Sequence, residues 1–482
     1  MSSFSSLFRA TVSVVLFSIF LQSCTVGPKY VAPKPVLMPF HNHPAAPSDD
    51  GAPAATLDHW WTGFKDPMLV TVIDRALAQN LNLVAALARV DEASAAAAGA
   101  GARLKPAAEL DGSSTFARQS LQGNFGNVAR GVPSFRRDIH EYSVGPAASW
   151  EIDLAGGLRR GAMAAREDAE AAEADHIGTR VIVTADAADA YLQVRGYQAR
   201  LVVAQRQIVN DEHLVQLVKN RYDAGAATQR EIAQAQALLE QARATVPMLR
   251  VGLERQLNRL DVLMGAQPGT YARELSPASE IPAVPPLPAD QQPTDLLRRR
   301  PDIIAAERRV AASNDRIGAV IANYYPKISL SGVLGFDSLT AEHLFTGSAF
   351  QAVGVGGLRW RLFDFGRIDA EVAQARGANA EALAVYRQAV LKAAEDVEDA
   401  LSLLSQTQLY AAELRSASQS LLRARDLAEA AYRAGSITLT DVLDADRELL
   451  TVQDQIDASR ADVARAAVTV FRALGGGWEP PR

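Results

Sequence analysis

Two stretches of about 65 residues without a proline constrain the fold of this chain more than any other feature of its sequence. They cover residues 158–222 and 367–432, and each is predicted to form one helix. At about 1.5 Å per residue, such a helix would be about 100 Å long, which is far more than a globular domain of this size needs. In the second stretch, apolar residues recur at spacings of three and four, which is typical of helices that pack against one another. These residues are Leu383, Tyr386, Val390, Ala394, Val397, Leu401 and Leu404.

The chain also contains an internal repeat with an offset of 210 residues. Trp150 and Trp360 each close a strand-like segment, and the sequence RYDAG at 221–225 corresponds to AYRAG at 431–435. Each copy therefore reads as a helix, two strands, a long helix and a return helix. The predicted segments are a signal peptide (1–23), an N-terminal linker (24–66), the first repeat (67–275), a proline-rich link (276–293), the second repeat (294–474) and a C-terminal tail (475–482).

Helices and strands are predicted at corresponding places in the two repeats. In the first repeat they are strands 107–120 and 139–154, the long helix 158–222 and a return helix 228–264. In the second repeat they are a helix 301–324, strands 327–337 and 350–364, the long helix 367–432 and a return helix 440–474.

The strand-like segments alternate between apolar and polar residues. In residues 141–154 the even positions carry apolar residues such as Tyr142 and Trp150, whereas the odd positions carry polar or small residues such as Glu151. Such alternation over about ten residues is typical of a transmembrane strand with lipid on one side and water on the other. A soluble sandwich also alternates, but it needs more strands than the four found here. We therefore predict that Tyr142, Trp150 and Trp360 lie at the membrane interface.

Four strands cannot close a barrel, because bacterial barrels begin at about eight strands. Several copies must contribute, and three copies give twelve strands. The predicted fold is therefore a mainly α-helical protomer with a small β part, of which three copies form a homotrimer. The trimer would complete a 12-stranded outer-membrane β-barrel on a long periplasmic α-helical barrel. A trimeric coiled-coil stalk without a pore is the alternative, although a stalk has no need for strands with one apolar face.

The N-terminus indicates export and acylation. A single cation, Arg9, precedes an apolar run from Ala10 to Leu21, which is too short for a bilayer span of roughly 20 residues. Cys24 follows directly and is the only cysteine in the chain, so disulfides are excluded. The sequence Leu-Gln-Ser-Cys at 21–24 resembles a bacterial lipobox, which predicts a covalent lipid on Cys24 as the anchor. Because Thr25 rather than an aspartate follows, delivery to the outer membrane is favoured. An ordinary export signal with an incidental cysteine is the alternative.

Composition provides no support for an enzyme or a nucleic-acid-binding protein. The net charge is −6, whereas a nucleic-acid-binding protein would show a basic face. The seven histidines are scattered and form no legible arrangement of a nucleophile with a base. His41 and His43 form an H-x-H pair, which is a poor metal signature on its own. We therefore predict no catalytic residue, no metal and no cofactor other than the lipid.

Three further segments carry a family resemblance. They are CTVGPKYVAP at 24–33, LRRRPDIIAAERRVAASNDRIGAVIANYYPKISLSG at 297–332 and FRALGGGW at 471–478. Together they resemble the TolC-like outer-membrane channels, and specifically the NodT-type lipoproteins of RND multidrug efflux systems. The resemblance implies the exit duct of a tripartite pump, whose closed periplasmic tip docks to a periplasmic adaptor and an inner-membrane RND transporter. A type I secretion duct for polypeptides is the alternative with the same fold.

The resemblance also assigns roles to residues around the two helix–helix turns. It implies adaptor docking by Arg221, Tyr222, Gly225, Tyr432 and Gly435, and a periplasmic gate formed by Tyr432, Thr440, Asp444 and Arg447. Thr440 stands where the family commonly has a leucine that blocks the pore. Two plainer interpretations stay open. Glycine ends many helices in the left-handed conformation, and Asp444 and Arg447 could form an ordinary pair on a solvated helix face.

Overall fold

The computed structural model describes residues 25–35, 37–42, 56–122, 136–287 and 293–479. The predicted signal peptide, the predicted lipid anchor Cys24 and His43 lie outside the described residues. Within them the chain is mostly helical with one small sheet, which confirms this part of the predicted fold. None of the described helices combines the length and the apolar character needed to cross a bilayer.

The described elements follow one another in this order. They are α1 (Pro67–Gln79), α2 (Leu81–Ala102), β1 (Ala107–Arg118), β2 (Asp138–Ile152), α3 (Gly157–Asp223), α4 (Gln229–Leu263), α5 (Ala272–Leu275), α6 (Pro293–Arg299), α7 (Pro301–Ile321), β3 (Lys327–Ser338), β4 (Phe350–Arg359), α8 (Arg367–Arg433) and α9 (Leu439–Ala473). Short 3-10 turns occur at Trp60–Phe64, Ala322–Tyr324 and Ala341–His343.

Two compact units divide the chain, and each draws on three separate segments. Of the described residues, the sheet unit comprises those within Met1–Pro33, Asp91–Ala171 and Glu307–Val385, and the helical unit comprises those within Lys34–Val90, Ala172–Ala306 and Tyr386–Arg482. Each unit therefore contains parts of both predicted repeats.

The sheet is antiparallel with the strand order β1-β2-β3-β4. Its register pairs Trp150 with Leu330 and Leu330 with Gly356, so even-numbered residues meet even-numbered residues across neighbouring strands. Because side chains alternate along each strand, all even-numbered residues lie on one face. That face carries the exposed apolar residues Leu110, Phe116, Trp150, Leu330, Leu334, Phe350 and Leu358.

The odd-numbered face is mainly polar. Ser113 and Ser143 are hydrogen bonded there with an Oγ–Oγ distance of 2.8 Å, and Lys327 Nζ lies 3.8 Å from Glu151 Oε1. Val353 and Val355 also lie on this face, so its polarity weakens along β4. The strands β1 to β3 thus separate apolar and polar faces more cleanly than β4 does.

The helical unit has a core built on aromatic residues. Trp60 and Trp61 are almost fully buried, and the Trp60 ring stacks on Phe471 at a centroid distance of 5.2 Å. Asp66 caps the start of α1, because its carboxylate accepts hydrogen bonds from the backbone N–H groups of Met68 and Leu69. The same carboxylate accepts a bond from the Tyr191 hydroxyl at 2.6 Å, which ties the start of α1 to α3.

Candidate functional site

The turns α3–α4 and α8–α9 have the same backbone structure. Gly225 and Gly435 adopt φ angles of 73° and 79°, in the left-handed region that only glycine enters without strain. Gly225 N–H donates to the Tyr222 carbonyl at 2.9 Å, and Gly435 N–H donates to the Tyr432 carbonyl at 2.9 Å. In each turn the following N–H closes a second bond five residues back, which completes a Schellman motif.

The return helices begin with matching capping boxes. Thr228 N–H donates to the Glu231 carboxylate at 2.6 Å, and Thr438 N–H donates to the Asp441 carboxylate at 2.9 Å. The hydrogen bonds from Thr438 hold the pKa of the Asp441 carboxyl below its usual range. Each turn is therefore held by hydrogen bonds on both sides, from the Schellman motif before it and from the capping box after it, so both turns have a defined backbone shape.

The two equivalent tyrosines differ in their surroundings. Tyr222 is 44% exposed, whereas Tyr432 is only 2% exposed. Tyr432 packs in an apolar group that we name the turn cluster, which consists of Ile208, Leu214, Val215, Val218, Ala235, Leu238, Leu239, Ala242, Tyr432, Leu439, Val442 and Leu443. Of the predicted docking tyrosines, only Tyr222 is therefore accessible in the single chain.

Arg221 joins the two turns. Its Nη1 donates to the Tyr432 carbonyl at 2.7 Å, and its guanidinium carbon lies 4.3 Å from the centre of the Tyr432 ring. The Tyr432 hydroxyl is buried and has no hydrogen-bond partner in the part of the chain that the structure describes. Burial raises the pKa of this hydroxyl, and the Arg221 charge opposes that rise.

Three of the four predicted gate residues share one exposed face of α9. Thr440, Asp444 and Arg447 follow one another at spacings of four and three, and all are exposed. Arg447 Nη1 lies 3.5 Å from Asp444 Oδ1 within the same helix, and both side chains are more than 60% exposed. Such a pair contributes little to stability by itself. The fourth residue, Tyr432, lies in the turn cluster instead.

A buried carboxyl beside the turn cluster escaped the sequence prediction. Asp211 is 1% exposed, and one of its oxygens accepts a bond from Gln207 Nε2 at 2.6 Å, while the other has no partner among the described residues. Burial raises the pKa of Asp211 to about 7, and the neighbouring Asp446 adds to the rise. A signal was available, because Asp211 occupies the apolar stripe formed by Ile208, Val215 and Val218.

The charge of Asp446, on α9, acts on this carboxyl from another helix. Burial raises the pKa of Asp446, and Arg425 on α8 opposes the rise with Nε 3.6 Å from Asp446 Oδ1. The sequence prediction named neither Asp446 nor Arg425.

The predicted interface tryptophans have matching contacts in the sheet unit. Trp150 Nε1 donates to the Leu104 carbonyl at 3.0 Å, and Trp360 Nε1 donates to the Tyr324 carbonyl at 2.9 Å. Their side chains are 37% and 54% exposed, so neither indole is enclosed in a core. Tyr142 lies on the same even-numbered face and is half-buried.

An N-terminal strap lies against the start of α3 in the sheet unit. We use this name for Thr25–Pro28, in which Val26 N–H donates to the Ala155 carbonyl at 3.0 Å. Arg160 Nη2 donates to the Pro28 carbonyl at 3.0 Å, and the same guanidinium forms a buried ion pair with Asp315. The strap therefore fixes the chain immediately after the predicted acylation site.

Among the described residues, no group of three or more histidine, cysteine, aspartate or glutamate side chains is placed to hold a metal ion. The backbone N–H groups of His41 and Asn42 donate hydrogen bonds to the Glu398 carboxylate, the latter at 2.9 Å, and Asn42 Nδ2 also donates to it at 2.8 Å.

Comparisons with known proteins give one consistent result. The family model described as "Outer membrane efflux protein" matches residues 72–266 and 293–476. The pyoverdine export outer membrane protein OpmQ of Pseudomonas aeruginosa is 31% identical over 429 residues, which cover 89% of each chain. Nodulation protein T of Rhizobium leguminosarum bv. trifolii is 28% identical over 470 residues, covering 96% of this chain and 97% of that protein. The solved outer-membrane channel OprN superposes with a TM-score of 0.85 at 32% identity and covers 94% of this chain and 100% of its own.

Proposed function

This chain belongs to the outer membrane efflux protein family, and we propose that it is the exit duct of a tripartite RND-type efflux pump. Family membership confirms the resemblance to TolC-like channels and the outer-membrane location. In the proposed role the duct passively conducts small toxic compounds from the periplasm to the exterior. Energy comes from the inner-membrane transporter, so the chain itself needs no catalytic site.

The division of the sheet into two faces carries this proposal. The register places the even-numbered apolar residues of all four strands on one face and most polar residues on the other. A wall with lipid outside and water inside requires this arrangement. A stalk without a pore does not require it.

Closure of the wall is assigned to three copies of the chain. The sheet order leaves β1 and β4 at its two edges, and exposed edges readily pair with another chain. Since β1 and β4 run in opposite directions, β4 of one copy can pair with β1 of the next in the antiparallel sense. Three copies then give a closed 12-stranded barrel without edges.

The resting gate is assigned to the exposed face of α9 that carries Thr440, Asp444 and Arg447. In a trimer, three such faces would place three carboxylates and three guanidinium groups around one opening, which makes a charged constriction. Threonine at 440 supplies less apolar bulk than leucine, so the charged pair must provide more of the closure. Tyr222, Gly225 and Gly435, which are exposed at the turns, are assigned to docking of the adaptor.

Planar bilayer recordings on the purified protein test the duct and its gate together. The native protein should insert as a channel of low conductance, and the Asp444→Ala/Arg447→Ala variant should conduct several times more. Lys392→Ala/Glu395→Ala is the matched control, because it removes an exposed pair with the same spacing from α8. Absence of channels from the native protein would contradict the duct, whereas equal conductance in all three proteins would contradict only the gate.

A further inference from the structure

A loop between β4 and α8 exposes Trp360 and three further large apolar side chains to solvent. We name residues 360–366 the junction loop. Leu362, Phe363 and Phe365 are 68%, 91% and 105% exposed. Single exposed apolar residues are common, but a contiguous group of this kind marks a surface that contacts something else.

The junction loop has a fixed shape. The Asp364 carboxylate accepts hydrogen bonds from Gly366 N–H at 3.1 Å and from Ile368 N–H at 3.0 Å, which caps the start of α8. Phe365 has φ 54°, a left-handed conformation that a bulky residue adopts only under constraint. The two phenylalanines are therefore presented on a defined turn.

The equivalent junction of the first repeat lies between β2 and α3 and is contacted by the N-terminal strap. At an offset of 210 residues, Gly156 with φ 77° corresponds to Gly366 with φ 83°, and Ala155 corresponds to Phe365. The Ala155 carbonyl accepts a bond from Val26 of the N-terminal strap. One junction thus carries a small residue under the strap, and the other carries an exposed phenylalanine.

Both junctions leave the sheet at the same level. Ile152 pairs with Ile328, and Ile328 pairs with Leu358, so β2 ends on this rung and β4 ends one residue beyond it, at Arg359. Leu358 belongs to the apolar even-numbered face, and the junction loop continues directly from that strand. Exposed arginines flank the loop at positions 359 and 367, and a third lies within it at position 361.

We propose that the junction loop is a second membrane anchor, which inserts Phe363 and Phe365 into the headgroup region of the outer membrane on its periplasmic side. This inference rests on the proposed barrel, whose lipid-facing surface it extends. Aromatic side chains favour the boundary between headgroups and acyl chains. The arginines in and beside the loop can place their charge at lipid phosphates while their apolar stems stay at the surface. The strap holds the residue after the predicted acylation site at the same level, so the two anchors would act at one depth.

Spin-label accessibility tests this placement in reconstituted protein. Cys24→Ser removes the only thiol, so that Phe363→Cys and Phe365→Cys can each be labelled alone. The protein is placed in vesicles of phosphatidylethanolamine and phosphatidylglycerol, and collisions with oxygen and with a water-soluble nickel chelate are compared. Both labels should favour oxygen over the chelate several-fold more strongly than a label at Ser329, on the polar face of β3.

A label at Leu330, on the apolar face of β3, separates the two proposals. If Leu330 reports lipid but positions 363 and 365 report water, the anchor is wrong and the barrel stands. If positions 363 and 365 are shielded from both reagents, a second copy of the chain covers the loop, which also overturns the anchor. If Leu330 itself does not report lipid, the proposed barrel fails first.

Discussion

The Arg221 guanidinium donates a hydrogen bond to the Tyr432 carbonyl at 2.7 Å and lies over the Tyr432 ring. These residues stand at corresponding ends of α3 and α8, so a single side chain connects the two turns of the chain. The carbonyl also accepts the bond from Gly435 that shapes the second turn. The position and the backbone geometry of Tyr432 are therefore coupled to Arg221.

Removing this connection should loosen the turns. A hydrogen bond from a charged group contributes about 1.5–3 kcal/mol, so Arg221→Ala should shift a closed-to-open equilibrium by roughly tenfold or more. The expected result is a larger open fraction in single-channel recordings and faster proteolysis near the turns. Arg221→Lys is the matched variant, because it keeps the charge but loses the planar fork, and it should fall between Ala and the native protein. Native behaviour of Arg221→Ala would show that the contact has no role in closure.

The extent of the long helices could be read from the sequence, but their contacts could not. The sequence predicted helices over 158–222 and 367–432, and the structure has Gly157–Asp223 and Arg367–Arg433. Their C-terminal ends are set by a local feature, namely the glycines of the two Schellman motifs, which can be recognised in the sequence. The predicted strand 350–364 ends instead at Arg359, because Asp364 caps the next helix and turns the chain.

Contacts between distant segments account for what the sequence did not predict. Nothing in the local sequence indicates that Tyr432 is buried while its equivalent Tyr222 is exposed, because both occupy the same position of the same motif. The difference arises because the turn cluster encloses only one of them. The burial of Asp211 and the effect of the Asp446 charge on its pKa likewise depend on how α3 and α9 pack within the helical unit.

Asp211 should make stability depend on pH. Its pKa is raised from 3.8 to about 7 by burial, so the folded chain holds a proton that the unfolded chain releases between these values. The contribution of Asp211 to the free energy of unfolding is therefore most favourable below about pH 4. It becomes less favourable as the pH rises towards 7 and stays unfavourable above pH 7. The charged groups that face it are Asp446 on α9 and, through Asp446, Arg425 on α8.

Asp211→Asn should remove most of this dependence. We expect hydrogen exchange around residues 208–218 to speed up between pH 5 and pH 8 in the native protein, beyond the intrinsic chemical effect, and to change less in the variant. Across the whole titration of Asp211, the free energy of unfolding should fall by at most roughly 4 kcal/mol, because the pKa is raised by about three. Glu212→Gln is the control, because Glu212 is the exposed neighbour of Asp211 and pairs with Arg243 at the surface. Equal pH profiles for the native protein and Asp211→Asn would rule out Asp211 as the source.

The turn glycines should resist substitution for conformational reasons alone. A Cβ at Gly225 or Gly435 would meet no atom within 4 Å, so any cost of alanine comes from the positive φ angle. That cost is about 1–2 kcal/mol per residue, and asparagine should be tolerated better. Gly377→Ala is the control, because Gly377 also has open space around it but lies inside α8, where alanine is favoured over glycine by about 1 kcal/mol. Thermal unfolding should therefore show a loss for the turn variants and a gain for the control.

The N-terminal strap should depend on the buried pair of Arg160 and Asp315. Their side chains are 6% and 4% exposed, and Arg160 also donates to the Pro28 carbonyl. Arg160→Met would leave the Asp315 carboxyl buried without its cation, which costs about 3–5 kcal/mol. We expect a matching loss of unfolding free energy and release of the strap, detected as protease cleavage near Lys29 in the folded protein. Arg316→Met removes the neighbouring exposed pair with Asp168 and should cost at most about 1 kcal/mol, with Lys29 still protected. A similar loss in both variants would mean that burial of the Arg160 pair does not determine how the strap is held.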